Sequence, residues 1–476
     1  MREKKIAIVG GGIAGASTAL FLGSMGLEVT LFERESSLVN GPPFCHLHAG
    51  GNLYPDISDE QCITLLKQSI DFAKLFPQAI DHRPTVIALP KKGFSMQVDD
   101  LLPRLHTLQD AYWELIKIDP SNQVLGTPEE YFRYYSKEKL LQLQEQPIPS
   151  MPQSADEWMI SLAKELDFEQ VQFPLIMVQE YGINLFRTSA ILTHTLEQMP
   201  NITLKFNRLA SEIQHKNNRW CIEHQSNSSQ ESESFDYLIN ATGFRTGIID
   251  EMIGLKCQKM VEFKAAYIAQ WQKHNTTLFP EVIFHGDRGT PHGMGQFTPY
   301  PDGYFQLHGM TKAITLYPDG LVKNTPQKCH PELPKKFLDK IEDTWEKTEI
   351  DERTQRAIKH LGRFIPNFCE AQVGYKPLYG AQQIPGDDPS LRVAEVAFPT
   401  PHYARCEIVK VSSVIDMADA IIQELKQDKL ILEGIPTPTL ELQYPEEEID
   451  QLATQIALDR SYPKSLARLN NKKHLT

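Results

Sequence analysis

Two histidines, His46 and His48, lie one residue apart at the start of a small-residue turn at residues 49–51. An imidazole titrates near neutral pH, so each ring could move a proton, ligate a metal or contact a bound group. A zinc site needs three or four ligands with supporting carboxylates, whereas this pair offers two. We therefore predict no metal site, and the role of the histidines depends on the elements that position them.

A glycine-rich turn at residues 10–15 follows a stretch, residues 6–9, whose apolar run predicts a buried parallel strand. The first glycine permits the tight turn, the second lets the backbone approach a diphosphate, and the third lets helix and strand pack closely. The helix predicted next would point its N-terminal N–H groups at that diphosphate. The candidate cofactor contacts of this element are Gly10, Gly12, Ile13, Ala14 and Gly15.

A second predicted strand, residues 27–33, ends at Glu33, which stands 18 residues after Gly15. An acid at this spacing accepts hydrogen bonds from the ribose hydroxyls of a dinucleotide, and Arg34 beside it is a further candidate contact. The alternative is a secretion signal, because the chain begins with a basic and then apolar stretch. The interrupting glycines and Glu33 disfavour that alternative. The element predicts a dinucleotide site but leaves FAD and NAD open.

Three later segments resemble the D-amino-acid-oxidase-like flavoprotein superfamily, which includes glycine and sarcosine oxidases and dimethylglycine dehydrogenase-like enzymes. "FDYLINATGFRTG", residues 235–247, resembles a strand end that passes near FAD, and the strand pair before it resembles the family's adenine-contacting segment. Residues 364–396 resemble a C-terminal family segment, with a lysine where the family has arginine. The resemblance favours FAD and adds these candidate contacts: Leu209, Ala210, Ala241, Thr242, Gly243 and Lys376.

The resemblance implies an α/β chain in which a Rossmann-like FAD-binding domain (two-dinucleotide-fold flavoprotein) is interleaved with an antiparallel-sheet substrate domain. Residues 300–304, Tyr-Pro-Asp-Gly-Tyr, predict a hairpin in the sheet that would cover the flavin ring. Residues 330–361 predict a charged, amphipathic outer layer of helix. The implied divisions are an FAD-binding domain at 1–80, 178–258 and 364–430, a substrate domain at 81–177 and 259–363, and a C-terminal extension at 431–476 that wraps the body or a second subunit or is partly mobile.

The chain departs from the family at the turn before the last FAD-contacting helix. The family has glycines there, whereas residues 404–407 are Ala-Arg-Cys-Glu. A Cβ limits how closely the backbone can approach a flavin. We expect that the turn sits further out or that Tyr403 and Arg405 take over part of the contact.

The resemblance also gives alternatives for the histidines. "HAGG" is similar to the "HAAG" of dimethylglycine dehydrogenase-like proteins, where the histidine is bonded covalently to the flavin, and His48 matches it. The favoured alternative is noncovalent packing of His46, His48, Ala49 and Gly50 against the cofactor, with one imidazole polarising the ring or moving a proton. For His46, an ordinary loop role also remains open.

Substrate-facing candidates lie in the predicted covering sheet. Gln306 aligns with a family strand in which some oxidases carry an oxygen-activating lysine, so a neutral residue there favours a dehydrogenase that passes electrons to a carrier or quinone. The catalytic candidates are His48, Gln306, Tyr304, Arg288 and His308, and the further polar residues of the sheet are His292, Tyr300 and Lys312.

We predict an FAD-dependent oxidoreductase that transfers a hydride from an amine or amino-acid carbon to flavin N5. The alternatives are a 2-hydroxy-acid or polyol-phosphate dehydrogenase and a non-catalytic flavin-binding sensor or subunit. The partners expected are a small-molecule substrate and an electron acceptor (a carrier protein, a quinone or O2). The net charge of -13 argues against nucleic acid. Seven cysteines without a CxxC pair favour a cytoplasmic protein, and the oligomeric state stays open.

Overall fold

The computed structural model describes residues 4–41, 45–47, 57–226, 229–432 and 434–470, with the backbone alone at residues 45 and 46. Its strands, in chain order, are β1 Lys5–Val9, β2 Glu28–Phe32, β3 Cys45–His46, β4 Ile80–Asp81, β5 Thr85–Ala88, β6 Phe132–Tyr135, β7 Leu175–Val178, β8 Gly182–Ile183, β9 Ile202–Lys205, β10 Leu209–Lys216, β11 Arg219–Gln225, β12 Gln230–Phe235, β13 Tyr237–Asn240, β14 Lys259–Gln270, β15 Glu281–Phe284, β16 Gly295–Tyr300, β17 Tyr304–Gly309, β18 Leu321–Lys323, β19 Gln372–Pro385, β20 Val396–Thr400 and β21 Tyr403–Cys406. Its α-helices are α1 Ile13–Ser24, α2 Asp59–Leu75, α3 Leu102–Ile118, α4 Lys137–Gln144, α5 Ala155–Glu165, α6 Leu185–Glu197, α7 Thr246–Met252, α8 Lys335–Ile341, α9 Lys347–Leu361, α10 Val414–Gln427 and α11 Glu446–Asp459.

Six strands form a mostly parallel sheet in the order β20-β21-β13-β1-β2-β9, with only β20 antiparallel to its neighbour. Helices α1, α6 and α10 pack together on one side of this sheet. Because the carboxyl ends of parallel strands meet at one edge, the residues that follow β1, β2 and β13 come together there. The strand–turn–helix–strand unit predicted for residues 6–33 is therefore confirmed.

Two glycines permit the close contact between β1 and α1. A Cβ on Gly15 would lie 1.9 Å from the carbonyl oxygen of Gly10, which no side chain tolerates. Gly10 itself has a φ of +103°, and a Cβ there would lie 2.5 Å from the carbonyl oxygen of Ala241. The spacing of the glycine motif thus fixes how β1, α1 and the end of β13 meet.

The larger sheet runs β18-β14-β17-β16-β15-β5-β7-β6, with β19 also paired to β14. The predicted hairpin is present, because β16 and β17 pair from Gly295↔Gly309 to Tyr300↔Tyr304. Its turn uses left-handed backbone at Asp302 (φ +62°) and Gly303 (φ +71°). An aromatic core lies on one face, where the rings of Phe297 and Phe305 stack 4.5 Å apart.

Residues 372–385 differ from the predicted division. They were assigned to the FAD-binding domain, yet β19 pairs along its length with β14 of the larger sheet, from Lys259↔Pro385 to Gln270↔Gln372. The resemblance marks a segment that reaches the cofactor, but it does not show which sheet supplies its hydrogen bonds. The division into domains as a whole stays a prediction.

Two small sheets complete the strands: the meander β10-β11-β12 and the sheet β3-β8-β4. The helices predicted in residues 330–361 are confirmed as α8 and α9. Helix α9 buries Thr354, Ala357, Ile358 and Leu361 on one face, while its other residues are mainly solvated. Among the described residues, no helix combines the length and the apolar character needed to cross a bilayer.

The C-terminal extension packs on the body of the chain. Helix α11 lies along α6, and the fully buried Arg187 of α6 pairs with Glu446 (2.6 Å) and Asp450 of α11. Beyond α11, Asn470 donates to Asp81 Oδ2 and to the carbonyl oxygen of Pro299, both at 2.8 Å. Of the arrangements expected for the extension, wrapping the body is the one observed for its described residues.

Candidate functional site

A cavity of about 750 Å³ extends from the glycine turn to the larger sheet, within the size range of small-molecule and cofactor sites. Gly10, Gly12, Ile13 and Ala14 line one end. Gly15 instead lies beneath the turn, where it packs on Gly10.

Gly12 leaves room at the N-terminus of α1. A Cβ built on Gly12 would have no atom within 4 Å, and its φ of −63° is open to any residue. As the N-cap, Gly12 supplies no side-chain hydrogen bond to the first turn of the helix. The N–H groups of that turn can therefore serve an anion, and a diphosphate suits this position.

Glu33 closes the adjacent wall, where β2 ends. Its two carboxylate oxygens accept hydrogen bonds from the N–H of Gly11 (2.6 Å) and of Glu35 (2.8 Å), so it braces the glycine turn. Burial raises the pKa of the Glu33 carboxyl despite these bonds. Arg34 also lines the cavity and pairs with Glu342 at 3.2 Å.

The opposite wall comes from the end of β13 and from the meander. Ala241, Thr242 and Gly243 all face the cavity, as do Leu209 and Ala210 at the start of β10. The structure thus brings these candidates into the same cavity as those of the glycine turn.

Four candidates around the histidine loop cannot be placed. His48, Ala49 and Gly50 lie outside the described residues, and for His46 only the backbone is described. That backbone pairs antiparallel with Gly182 in the small sheet β3-β8-β4. Covalent attachment at His48 therefore stays a prediction.

The larger sheet contributes Gln306 and His308 to the cavity. Gln306 is buried, and its Oε1 accepts from the Tyr300 hydroxyl at 3.3 Å. His308 Nδ1 lies 3.4 Å from Gln296 Oε1, whose Nε2 donates to Glu281 Oε1 at 2.6 Å. Because Gln296 Nε2 donates to Glu281, Gln296 Oε1 faces His308, an arrangement that favours the tautomer with the proton on Nδ1.

Two predicted catalytic residues do not line the cavity. Tyr304 lies half-buried at the turn end of the hairpin, opposite Tyr300. Arg288 lies behind the wall, where it pairs with Glu262 and its Nη1 lies 3.4 Å from Met310 Sδ. Of the further polar residues, His292 is exposed, and Lys312 lines a separate surface cavity.

The predicted contacts of Tyr403 and Arg405 need correction. Both residues lie in β21, inside the parallel sheet, and their side chains turn to Asp250. The Tyr403 hydroxyl donates to Asp250 at 2.7 Å, and Arg405 pairs with it at 3.1 Å. The cavity is lined instead by Cys406 and residues 408–411. Of residues 404–407, the first three lie in β21, and only Cys406 among the four lines the cavity.

Lys376 does line the cavity, as expected. Its ammonium pairs with Asp343 Oδ2 at 2.6 Å and lies 4.7 Å from the ring centroid of Tyr462. Tyr462 and Arg460 of the C-terminal extension form part of the same wall, and no sequence signal marked either of them.

Sequence reasoning also missed a group of charges at the larger-sheet end. Lys264 and Arg392 line the cavity, and the buried Glu262 lies beside them. Glu262 pairs with Lys264 at 3.0 Å and with Arg288. Burial lowers the pKa of Lys264 to about 8, although Glu262 opposes this effect. A lysine within a strand pattern gives no signal of this position.

Known proteins resemble the chain in sequence over one segment and in fold over most of its length. The profile of the FAD dependent oxidoreductase (DAO) family matches residues 5–116. Residues 5–116 thus carry the sequence pattern of an FAD dependent oxidoreductase domain. A search of curated proteins gave no match.

Solved structures of FAD enzymes and related proteins share the fold over nearly the whole chain. A glycine oxidase from Geobacillus kaustophilus is similar with a TM-score of 0.57 at 10% identity, covering 93% of this chain and 99% of that one. An L-proline dehydrogenase from P. horikoshii gives 0.56 at 14%, covering 97% and 99%. An L-alpha-glycerophosphate oxidase from Mycoplasma pneumoniae, with FAD bound, gives 0.55 at 15%, covering 93% and 99%.

FAD is the cofactor of the family domain that matches residues 5–116, and the cavity fits this cofactor at two points. A Cβ on Gly12 would project into open space, so the backbone of this turn is accessible to a diphosphate and the protein's own packing does not require glycine there. The buried carboxylate of Glu33 stands at the strand end where ribose hydroxyls are held.

Proposed function

We propose that the protein oxidises an α-amino acid or a related amine that carries an acidic group. The FAD-binding end of the cavity would lie at Gly12 and Glu33, and the substrate would lie against the larger sheet. FAD, when bound, supplies the hydride acceptor, and the amine then becomes an imine that water hydrolyses.

The observation that carries this proposal is the excess of positive charge at the larger-sheet end. Lys264 and Arg288 both pair with the carboxylate of Glu262, and the charge of Arg392 also acts on it. Burial opposes the ionisation of Glu262, but these cations outweigh it and lower its pKa. Because Lys264 and Arg288 share this one carboxylate, a substrate anion would compensate the remaining positive charge where Lys264 lines the cavity.

His308 would serve the amine. An amino acid enters with a protonated amine, which must lose its proton before a hydride can leave the neighbouring carbon. His308 lines the cavity and the Gln296–Glu281 pair orients its ring, so this imidazole would accept the proton. Gln306, which also lines the cavity, can accept a hydrogen bond or donate one through its amide.

A 2-hydroxy acid or a polyol phosphate is the second candidate substrate class. The same cations would bind the carboxylate of a hydroxy acid, and their excess charge suits the higher charge of a phosphate ester. In either case His308 would accept the hydroxyl proton in place of the ammonium proton.

The electron acceptor stays a prediction. Gln306 favoured a dehydrogenase because it is neutral, but Lys264 supplies a cation elsewhere in the same cavity. Reoxidation of the reduced protein by O2 and by a quinone, measured in parallel, decides between the two. The non-catalytic alternative, which the glycines missing at residues 403–407 favoured, stays a prediction.

The test is anaerobic reduction of the flavin by a panel of amino acids, amines, 2-hydroxy acids and glycerol phosphates. Rapid bleaching by an amino acid, lost in Lys264→Met, supports the proposal. Bleaching by hydroxy acids or phosphate esters alone would favour the second candidate. Bleaching by no member of the panel would contradict both.

A further inference from the structure

The C-terminal extension is fixed to the FAD-binding side of the chain before it reaches the cavity. The amide of Gln78 bonds both the N–H (2.9 Å) and the carbonyl oxygen (2.8 Å) of Tyr444. Helix α11 then supplies the ion pairs of the buried Arg187. The residue that follows α11 is therefore held in a defined position.

That residue is Arg460, and its guanidinium holds the segment beside the glycine turn. It donates to the carbonyl oxygens of Leu38 (2.6 Å) and Val39 (2.9 Å) and to Ser37 Oγ (3.2 Å). Val39 has left-handed backbone (φ +56°), and its N–H donates to the carbonyl oxygen of Gly11 at 2.8 Å. Val39 thus links Arg460 to Gly11 in the glycine turn.

Among the described residues, no carboxylate lies within 4 Å of the Arg460 guanidinium, although the charges of Glu33 and Asp459 act on it from further away. The groups that it contacts are neutral carbonyls and hydroxyls. Its Nε–H is buried and, in the described part of the chain, donates no hydrogen bond. Burial lowers the pKa of the guanidinium to about 10. A buried arginine without a close ion pair binds an anion strongly, because the anion compensates the loss of hydration that burial imposes on the guanidinium charge.

We propose that Arg460 is a cofactor-binding residue supplied by the C-terminal extension, and that its charge compensates the diphosphate of FAD. The inference rests on the proposed location of FAD in the cavity, which Arg460 lines together with Gly12. The extension lies outside residues 5–116, the part that matches the family profile. In this chain the extension would therefore be part of the cofactor site and not an appendage.

The competing explanation is that Arg460 only orders residues 37–41. Lysine separates the two roles, because it keeps the positive charge but cannot reproduce the forked hydrogen bonds to two carbonyls. Methionine removes both the charge and the bonds while keeping much of the packing volume. A matched control is Arg468 of the same extension, whose side chain is 44% exposed and pairs with Asp302.

The experiment measures dissociation constants of FAD and of riboflavin, which lacks phosphates, for the apoprotein of each variant. We expect Arg460→Met to bind FAD about 10- to 100-fold more weakly, as for loss of a hydrogen bond to a charged group. Arg460→Lys should lie closer to the wild type. Riboflavin binding should change little in either variant, and Arg468→Met should match the wild type for both ligands.

Three outcomes would overturn the inference: FAD affinity of Arg460→Met within about twofold of the wild type, equal losses for FAD and riboflavin, or a loss in Arg460→Lys as large as in Arg460→Met. Should the methionine variant fail to fold, the lysine variant still decides. Failure of the wild-type protein to bind FAD would instead refute the proposed cofactor site.

Discussion

Lys264 gives a specific test of the substrate end, because burial lowers its pKa to about 8. Below that pH the ammonium is charged and attracts an anionic ligand, and above it the charge is lost. The affinity for a carboxylate should therefore fall as the pH rises through about 8. Between about pH 7 and pH 9 the charged fraction falls about tenfold, which weakens binding by about tenfold, or about 1.4 kcal/mol.

The assay is titration of the flavin spectrum with a simple carboxylate that lacks an amine, so that the ligand keeps one charge throughout. Lys264→Met should bind the ligand weakly at every pH and show no step near 8. Lys264→Arg should keep the affinity and also lose the step, because arginine stays charged. Lys312→Met, at an exposed lysine of the separate surface cavity, is the control. A wild-type step that survives in Lys264→Met would refute the reasoning.

Three further predictions concern stability and the site. Burial lowers the pKa of His360 to about 4, so as the pH falls the unfolded state takes up this proton before the folded state does. The free energy of unfolding in urea should therefore be about 2 kcal/mol lower at pH 5 than at pH 7 because of this group. His360→Gln should lose this part of the pH dependence. Gln296→Leu removes the hydrogen-bond partner of His308 Nδ1, so it should lower kcat about tenfold and alter the dependence of kcat on pH while leaving FAD affinity unchanged. An unchanged pH dependence of kcat would contradict the proposal that Gln296 orients His308. Asp450→Asn removes one of the two carboxylates that pair with the buried Arg187, so it should lower the free energy of unfolding by about 2 kcal/mol, after allowance for the exposure of Asp450. A urea midpoint equal to that of the wild type would contradict this prediction.

The glycine turn could be predicted because its requirements are local. Gly10, Gly12, Gly15 and Glu33 lie within one strand–helix–strand unit, and each follows from the need of the backbone to approach a diphosphate or a ribose. The hairpin at residues 301–303 was equally local, since its turn needs residues that accept left-handed backbone.

The proposed substrate end could not be predicted, because its charges come from separate strands and loops. Lys264 lies on β14 and Arg392 on the loop before β20, and only the tertiary fold brings both to one cavity. Arg460 lies 421 residues from Val39, with which it bonds. Tyr403 and Arg405 were placed at the cofactor because their buried partner Asp250 gives no sequence signal.

Gly12 tests the central claim most directly, because a Cβ there would enter the cradle without meeting any protein atom. Its backbone is also open to any residue, so Gly12→Val should leave the unfolding midpoint of the apoprotein almost unchanged. We predict that the wild-type protein binds one FAD per chain and that Gly12→Val, titrated in the same way, binds none at the same concentrations. A variant that folds normally and binds FAD as tightly as the wild type would contradict the placement of the diphosphate at this turn.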